Sequence, residues 1–167
     1  VTGNLSDSYL GLMIKKKKFK ITKYKKYFTQ AFERPTLPIQ FSSYLNKFAT
    51  SSIDISDGII KDLKSICYSS KCGAKINYLD LPFSNYLKFV SKKYSIKLEN
   101  IFSKGDDYSI LFTADEKYRK LINTISRRTK TKVTRIGKIK AGKSAILVKG
   151  DKIINFSTVN SGYIHRF

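Results

Sequence analysis

Asp54, Ser56 and Asp57 place two carboxylates and a hydroxyl almost side by side, and Gly58 follows at once. The surrounding run, Ala49 to Leu63, reads ATSSIDISDGIIKDL. Ser52–Ile55 has the composition of a buried strand, whereas Ile59, Ile60, Leu63 and Ile66 recur at helical spacing. The polar residues therefore fall where a strand hands over to a helix. Carboxylates at such a point would hold a hard cation such as Mg²⁺, and the free N–H groups of a helix N-terminus favour phosphate. A purely structural use of the same residues stands beside this one. Ser56 serves as helix N-cap, Asp57 adds favourable charge in the first turn, and Asp54 accepts turn hydrogen bonds.

Two further segments carry polar chemistry. Lys104-Gly105-Asp106-Asp107 is an acidic turn that enters the apolar strand Tyr108–Phe112. The chain closes with Gly162-Tyr163-Ile164-His165-Arg166-Phe167, an aromatic tail that could equally be pinned to a core. His165 is the only histidine, which argues against a histidine-rich metal cluster and a His-based nucleophilic triad. Cys67 and Cys72 lack the C-x-x-C spacing of a redox or zinc pair, so they read as a core thiol and a helix-end thiol in a reducing compartment. No Gly-rich Walker-type loop is present.

The elements that must position these groups follow from periodicity. Val1–Asn4 reads as a short strand or linker, and Leu5–Lys26 as largely helical, with Gly11 a point of interruption. Arg34, Pro35 and Pro38 make a stiff turn, and Ile39–Phe48 a short helix. After the Ile59 helix, stopped at Gly73, Ala74–Tyr78 alternates as a strand. Ser84 caps a helix running to Val90, and Asp115 caps one running to about Ile125. Val133–Ile139, Ala145–Val148 and Ile153–Phe156 read as strands. Strands and helices are interspersed, which predicts an α+β fold with a mixed sheet and packed helices. All 167 residues fit one domain, with residues 1–6 as its connecting strand or linker.

Charge is the strongest compositional signal: the formal net charge is +21. Eight lysines fall between Lys15 and Lys26, interleaved with Phe19, Ile21 and Tyr24. Such a segment is either a solvated lysine-rich helical face or, as the less favoured reading, a nucleic-acid-binding surface. Either way, a positive field attracts phosphorylated ligands. No apolar run approaches the roughly 18 residues a membrane span needs, and the opening lacks a signal-peptide pattern. A cytoplasmic protein is expected.

The run Asp54–Gly58 resembles the D-x-S-D-G motif of thiamine-monophosphate kinases, in the aminoimidazole-ribonucleotide-synthetase-like superfamily. The resemblance extends in order along the chain, through Val1-Thr2-Gly3-Asn4-Leu5, Arg34-Pro35, Gly73-Ala74 and Leu81-Pro82-Phe83-Ser84. Where the family usually reads G-G-E-D-Y-E-L-L-F-T, this chain has Lys104 for the first glycine, Asp106 for glutamate and Ser109 for the second glutamate. The family ends G-[WYF]-x-H-F, which Tyr163 matches and Arg166 interrupts.

The resemblance implies the C-terminal domain of an enzyme that moves the γ-phosphoryl group of ATP onto thiamine monophosphate, giving thiamine diphosphate. It implies Asp54 and Asp57 as Mg²⁺ ligands, Ser56 against ATP phosphate, and Asp106 and Tyr163 against the substrate. No side chain acts as a covalent nucleophile, because the attacking oxygen belongs to the substrate. The ATP groove and most Mg²⁺-holding aspartates belong to an N-terminal domain not represented in these residues. The chain is then expected to work as a homodimer or with a separately encoded N-terminal partner, or to be a remnant without activity.

Overall fold

The structure, a computed structural model, describes residues 1–154. Its helices are α1 (Asp7–Lys15), α2 (Lys25–Glu33), α3 (Ile39–Ser42), α4 (Ile59–Ser69), α5 (Asn85–Lys93) and α6 (Arg119–Arg128). Its strands are β1 (Ala49–Ile55), β2 (Gly73–Asn77), β3 (Ser109–Ala114), β4 (Gly137–Lys140), β5 (Ala145–Lys149) and β6 (Lys152–Ile154). β1 and β3 form an antiparallel pair, with Asp54 opposite Ile110 and Ile55 opposite Ser109. The other sheet has the order β4-β2-β5-β6, parallel only between β2 and β5. The expected α+β class with a mixed sheet is what is found.

Helix α4 joins the two sheets. It touches β1 and β3 on one side and β2 and β5 on the other. Its apolar stripe of Ile59, Ile60, Leu63, Ile66 and Cys67 is buried, as the sequence spacing predicts. Ile55, Ile76, Leu87, Val90, Phe102 and Leu147 close the same core. A smaller cluster of Phe41, Phe48 and Ile125 takes the ring of Phe112, whose centroid lies 5.7 and 5.5 Å from those of Phe41 and Phe48.

Several boundaries differ from the sequence reading. Leu5–Lys26 is not one helix: α1 ends at Lys15, and only Lys25 and Lys26 of the later lysines are helical. The lysine run is therefore mainly an exposed connection, with Ile21 turned inward at 4% exposure. Ile39–Phe48 splits into α3 and a 3₁₀ turn at Leu45–Lys47. Val133–Ile139 yields only β4, which starts at Gly137, plus a single bridge from Val133 to Thr2. Ser84 caps α5 as expected, its hydroxyl accepting from the Leu87 N–H at 3.0 Å. Asp115 caps a 3₁₀ turn at Glu116–Tyr118 that leads into α6.

Gly11 does not interrupt α1. It lets α1 and α2 approach closely, since a Cβ there would stand 2.0 Å from the carbonyl oxygen of Phe28. Gly11→Ala should therefore destabilise the fold by about 1–3 kcal/mol through overpacking. This opposes the gain of about 1 kcal/mol that alanine brings to an ordinary helix interior. Urea unfolding of the variant should show a lowered midpoint; an unchanged or raised one would mean the helices can part at no cost.

Candidate active site

The candidate site is built where β1 ends. Along this strand Ile53 and Ile55 turn toward the core while Ser52 and Asp54 face out. The chain then turns through Ser56 and Asp57, and α4 begins at Ile59. Gly58, not Ser56, is the N-cap, with φ 117° and ψ 145°. The expectation that Ser56 caps the helix and that Asp57 lies in its first turn is thus corrected. The acid of that turn is Asp62, whose carboxylate accepts from the Gly58 N–H at 3.0 Å. Ser56 instead offers its backbone: its carbonyl accepts from the Asp106 N–H at 2.9 Å.

That bond brings in the second segment. The β1–β3 ladder runs on past Ile55, whose carbonyl accepts from the Tyr108 N–H at 2.9 Å. The Ser103–Tyr108 loop then lies directly on the Ser56–Gly58 turn. A Cβ on Gly58 would meet the Ser103 carbonyl oxygen at 2.2 Å, and one on Gly105 would meet that of Ser56 at 2.3 Å. Both glycines also have positive φ, 117° and 88°. Asp106 and Tyr108 hold left-handed backbone at 63° and 48° without being glycine. Lys104 is not among these left-handed residues, so lysine in place of the family's first glycine costs no backbone strain.

The clasp gathers negative charge. Asp62 is buried, and its carboxyl is pushed up to about 6 by that burial and by the nearby Asp57 and Asp54 carboxylates. Asp106 is raised by burial and by Asp57, while Lys16 pulls it down. Asp107 accepts from the Ser6 N–H at 2.7 Å, and crowding by protein and by Asp7 holds it well above the usual carboxylate range. Asp57 pairs with Lys61 at 2.6 Å. Asp54, Ser56, Asp57 and Asp106 thus come to one clasp. Tyr163 lies outside the described residues. Among the described residues, no three acidic, thiol or imidazole groups gather as a metal site by themselves.

Some of the supporting residues escaped sequence reasoning. Asp62 could have been found as an acid in the first turn of α4, one residue before Leu63. Asp7 is harder to see: it is 6% exposed and accepts from Ser84 Oγ at 2.7 Å and Tyr27 Oη at 2.6 Å. It ties α1, α2 and the α5 cap together. Its partners lie 20 and 77 residues away, beyond any local pattern.

Comparison with known proteins agrees with this geometry. No protein-family model matches the chain. A thiamine-monophosphate kinase from Buchnera aphidicola subsp. Schizaphis graminum is 35% identical over 99% of this chain. The chain belongs to the thiamine-monophosphate kinase family. It spans about half the length of the curated relatives it matches, 51% in the Buchnera case. The crystal structure of thiamine-monophosphate kinase from Stenotrophomonas maltophilia superimposes with a TM-score of 0.78 at 25% identity, over 88% of this chain and 48% of that one. AaThiL complexed with AMPPCP and TMP gives 0.74 at 27% identity, over 90% of this chain and 48% of that one. The chain therefore carries the thiamine-monophosphate kinase fold across one half of the family's length.

The acidic clasp makes a measurable claim. A raised carboxyl favours the neutral form in the folded state. Asp62's contribution to stability is therefore complete below pH 3.8 and is lost as the pH rises to about 6. Carboxyl NMR should show Asp62 titrating well above an ordinary aspartate, and Asp57→Asn should lower its midpoint. An Asp62 signal indifferent to Asp57→Asn would place the two carboxylates beyond useful electrostatic reach.

Proposed function

We propose that this chain is the C-terminal half of a thiamine-monophosphate kinase. In this reading it acts with an N-terminal half, on a longer chain or a separate one, to transfer the γ-phosphoryl group of ATP to thiamine monophosphate. One observation carries the reading: the family's two motif segments, far apart in sequence, meet at the Gly58–Gly105 clasp. The match to a structure complexed with AMPPCP and TMP supports the nucleotide and the substrate class. No helix among the described residues is long and apolar enough to cross a membrane, which is compatible with a cytoplasmic kinase.

The donor set fits Mg²⁺ in part. Asp54 and Asp57 are hard oxygen ligands, and Asp62 feels both carboxylates. With no complete group among the described residues, the remaining ligands would come from the N-terminal half. When bound, Mg²⁺ neutralises charge that builds up on the transferring phosphates.

The chain's own residues do the positioning. Asp54 projects outward from the end of β1, so its carboxylate is presented rather than buried. The Ser56 hydroxyl, in the turn that precedes α4, would lie against nucleotide phosphate. Asp106 is held by its backbone to Ser56 and faces thiamine monophosphate; its side chain is one carbon shorter than the family's glutamate. Tyr163 is the second substrate contact. The attacking oxygen belongs to the substrate, so no side chain forms a covalent intermediate.

The lone chain should form negligible thiamine diphosphate from ATP, Mg²⁺ and thiamine monophosphate. Mixed or fused with the N-terminal half of a relative such as the Buchnera kinase, it should become active. Asp57→Asn should then lower kcat by about 100-fold or more, the scale on which removing preorganised charge stabilisation acts. A folded, assembled pair with no activity would identify the chain as a remnant, and robust turnover by the lone chain would overturn the half-enzyme reading.

A further inference from the structure

Helix α4 ends in a turn that brings the two cysteines together. Ser70 caps the helix, and Lys71 takes left-handed backbone at φ 51°. The Lys71 N–H donates to the Tyr68 carbonyl at 3.2 Å and the Cys72 N–H to the Cys67 carbonyl at 3.0 Å. This pair of bonds makes a Schellman turn, in which the side chain after the left-handed residue packs back on the one that opens the helix's last turn. Here those two side chains are Cys72 and Cys67. The 3.0 Å bond holds their Cα atoms within about 7 Å at full stretch, and the bent angles along it bring them closer, toward the roughly 4.4–6.8 Å that a disulfide spans. Both thiols are free, and Cys72 lies close enough to perturb Cys67. Cys67 is 3% exposed, whereas Cys72 is half-buried and follows an exposed run from Tyr68 to Lys71.

We propose that Cys67 and Cys72 form a reversible thiol–disulfide site, in which Cys72 meets the oxidant and Cys67 resolves it. The site lies at the opposite end of α4 from the clasp and does not depend on the kinase reading. The oxidant is a low-molecular-weight disulfide. Cys72 gives its proton to solvent, its thiolate attacks one sulfur of that disulfide, and the first external thiolate leaves. Cys67 then loses its proton, attacks the Cys72 sulfur, forms the internal S–S bond and expels the second external thiolate. The two released thiolates take up two protons, so the protein dithiol loses two electrons and the external disulfide gains them. The order follows from access. Burial keeps Cys67 from the oxidant and pushes its thiol up to about 11, which makes it a poor first attacker. Its own step is intramolecular, across a turn already formed, and that proximity offsets the weak acidity. The net charge of +21 favours an anionic disulfide such as oxidised glutathione.

The test incubates the folded full chain with oxidised glutathione and follows it by mass spectrometry with peptide mapping. The wild type should lose two hydrogens and yield a Cys67–Cys72 bridge within one chain, without a lasting glutathione adduct. Cys67→Ala should stop at a glutathione adduct on Cys72. Cys72→Ala should react about tenfold more slowly or less, since only the buried thiol remains. Circular dichroism establishes that each variant is folded; should Cys67→Ala fail to fold, the wild-type map and Cys72→Ala still decide. The bridged chain should melt about 4–8 °C above the reduced one, as closing so short a loop without strain predicts. A lasting adduct on wild-type Cys72, a disulfide between two chains, or thiols that stay reduced would overturn the proposal. So would a bridged chain that melts no higher than the reduced one, because the turn would then not fit the bond.

Discussion

The backbone contact between Gly58 and Gly105 is the constraint on which the site depends. At each position a Cβ would stand little more than 2 Å from a carbonyl oxygen of the opposing loop. Backbone cannot yield to such contact as the end of a long side chain can, and both residues hold a positive φ that other L-residues rarely adopt. The close approach places the Asp106 N–H on the Ser56 carbonyl and continues the β1–β3 ladder beyond its last strand residues. It also fixes where α4 begins. Because α4 touches both sheets, its starting point sets how the β1–β3 pair sits against β2 and β5. A local contact between two glycines is thus transmitted to the layer arrangement of the whole fold.

Charge at the clasp runs opposite to charge elsewhere. The chain carries a net +21, yet Asp54, Asp57, Asp62, Asp106 and Asp107 crowd into one turn and its facing loop. Burial first, and this crowding second, hold the Asp62, Asp106 and Asp107 carboxyls above their ordinary range. The crowding is moderated by neighbours of opposite sign, Lys61 on Asp57 and Lys16 near Asp106. Lys16 belongs to the lysine-rich connection after α1, so one part of that exposed segment has a local electrostatic role. Its other lysines act mainly through the long-range field, which falls away over about 8 Å at physiological salt.

How much of this was legible in the sequence depended on the range of the interaction. Strand β1, helix α4 and the Ser84 cap were readable because each is a local pattern of period, hydrophobicity or capping chemistry. The Leu5–Lys26 reading, largely helical with its breaks left open, missed the long gap between α1 and α2: lysines are good helix formers, and composition does not show the left-handed backbone at Lys17 and Tyr24. Ser56 was a plausible cap by residue type, but the contact with Gly105 moves the helix start two residues later, to a glycine. Val133–Ile139 has strand composition, yet only its end finds a ladder partner on β2, while Val133 meets Thr2 alone. The gathering of Asp54, Ser56, Asp57 and Asp106 was read only through family resemblance, since their meeting is a long-range event. Tyr163 lies outside the described residues and stands on that resemblance alone.

Core and site are divided, so what holds these residues in shape is separate from what the proposed kinase chemistry would need. The apolar stripe of α4 is fully used within these residues, with Ile59 and Ile60 at 0% exposure, and the Asp7–Ser84–Tyr27 network satisfies the buried polar groups that join α1, α2 and α5. Nothing in that core requires the side chain of Asp54, which faces away from it. The carboxylates of the clasp are instead mutually repulsive, and the strain they create is relieved by whatever positive charge is brought to them. A lysine can do this in the isolated half. In the assembled enzyme proposed here, metal ions held jointly with the other half would do it more strongly, so completing the site would also stabilise the clasp. Assembly and ligand binding would then favour one another through the same few carboxylates.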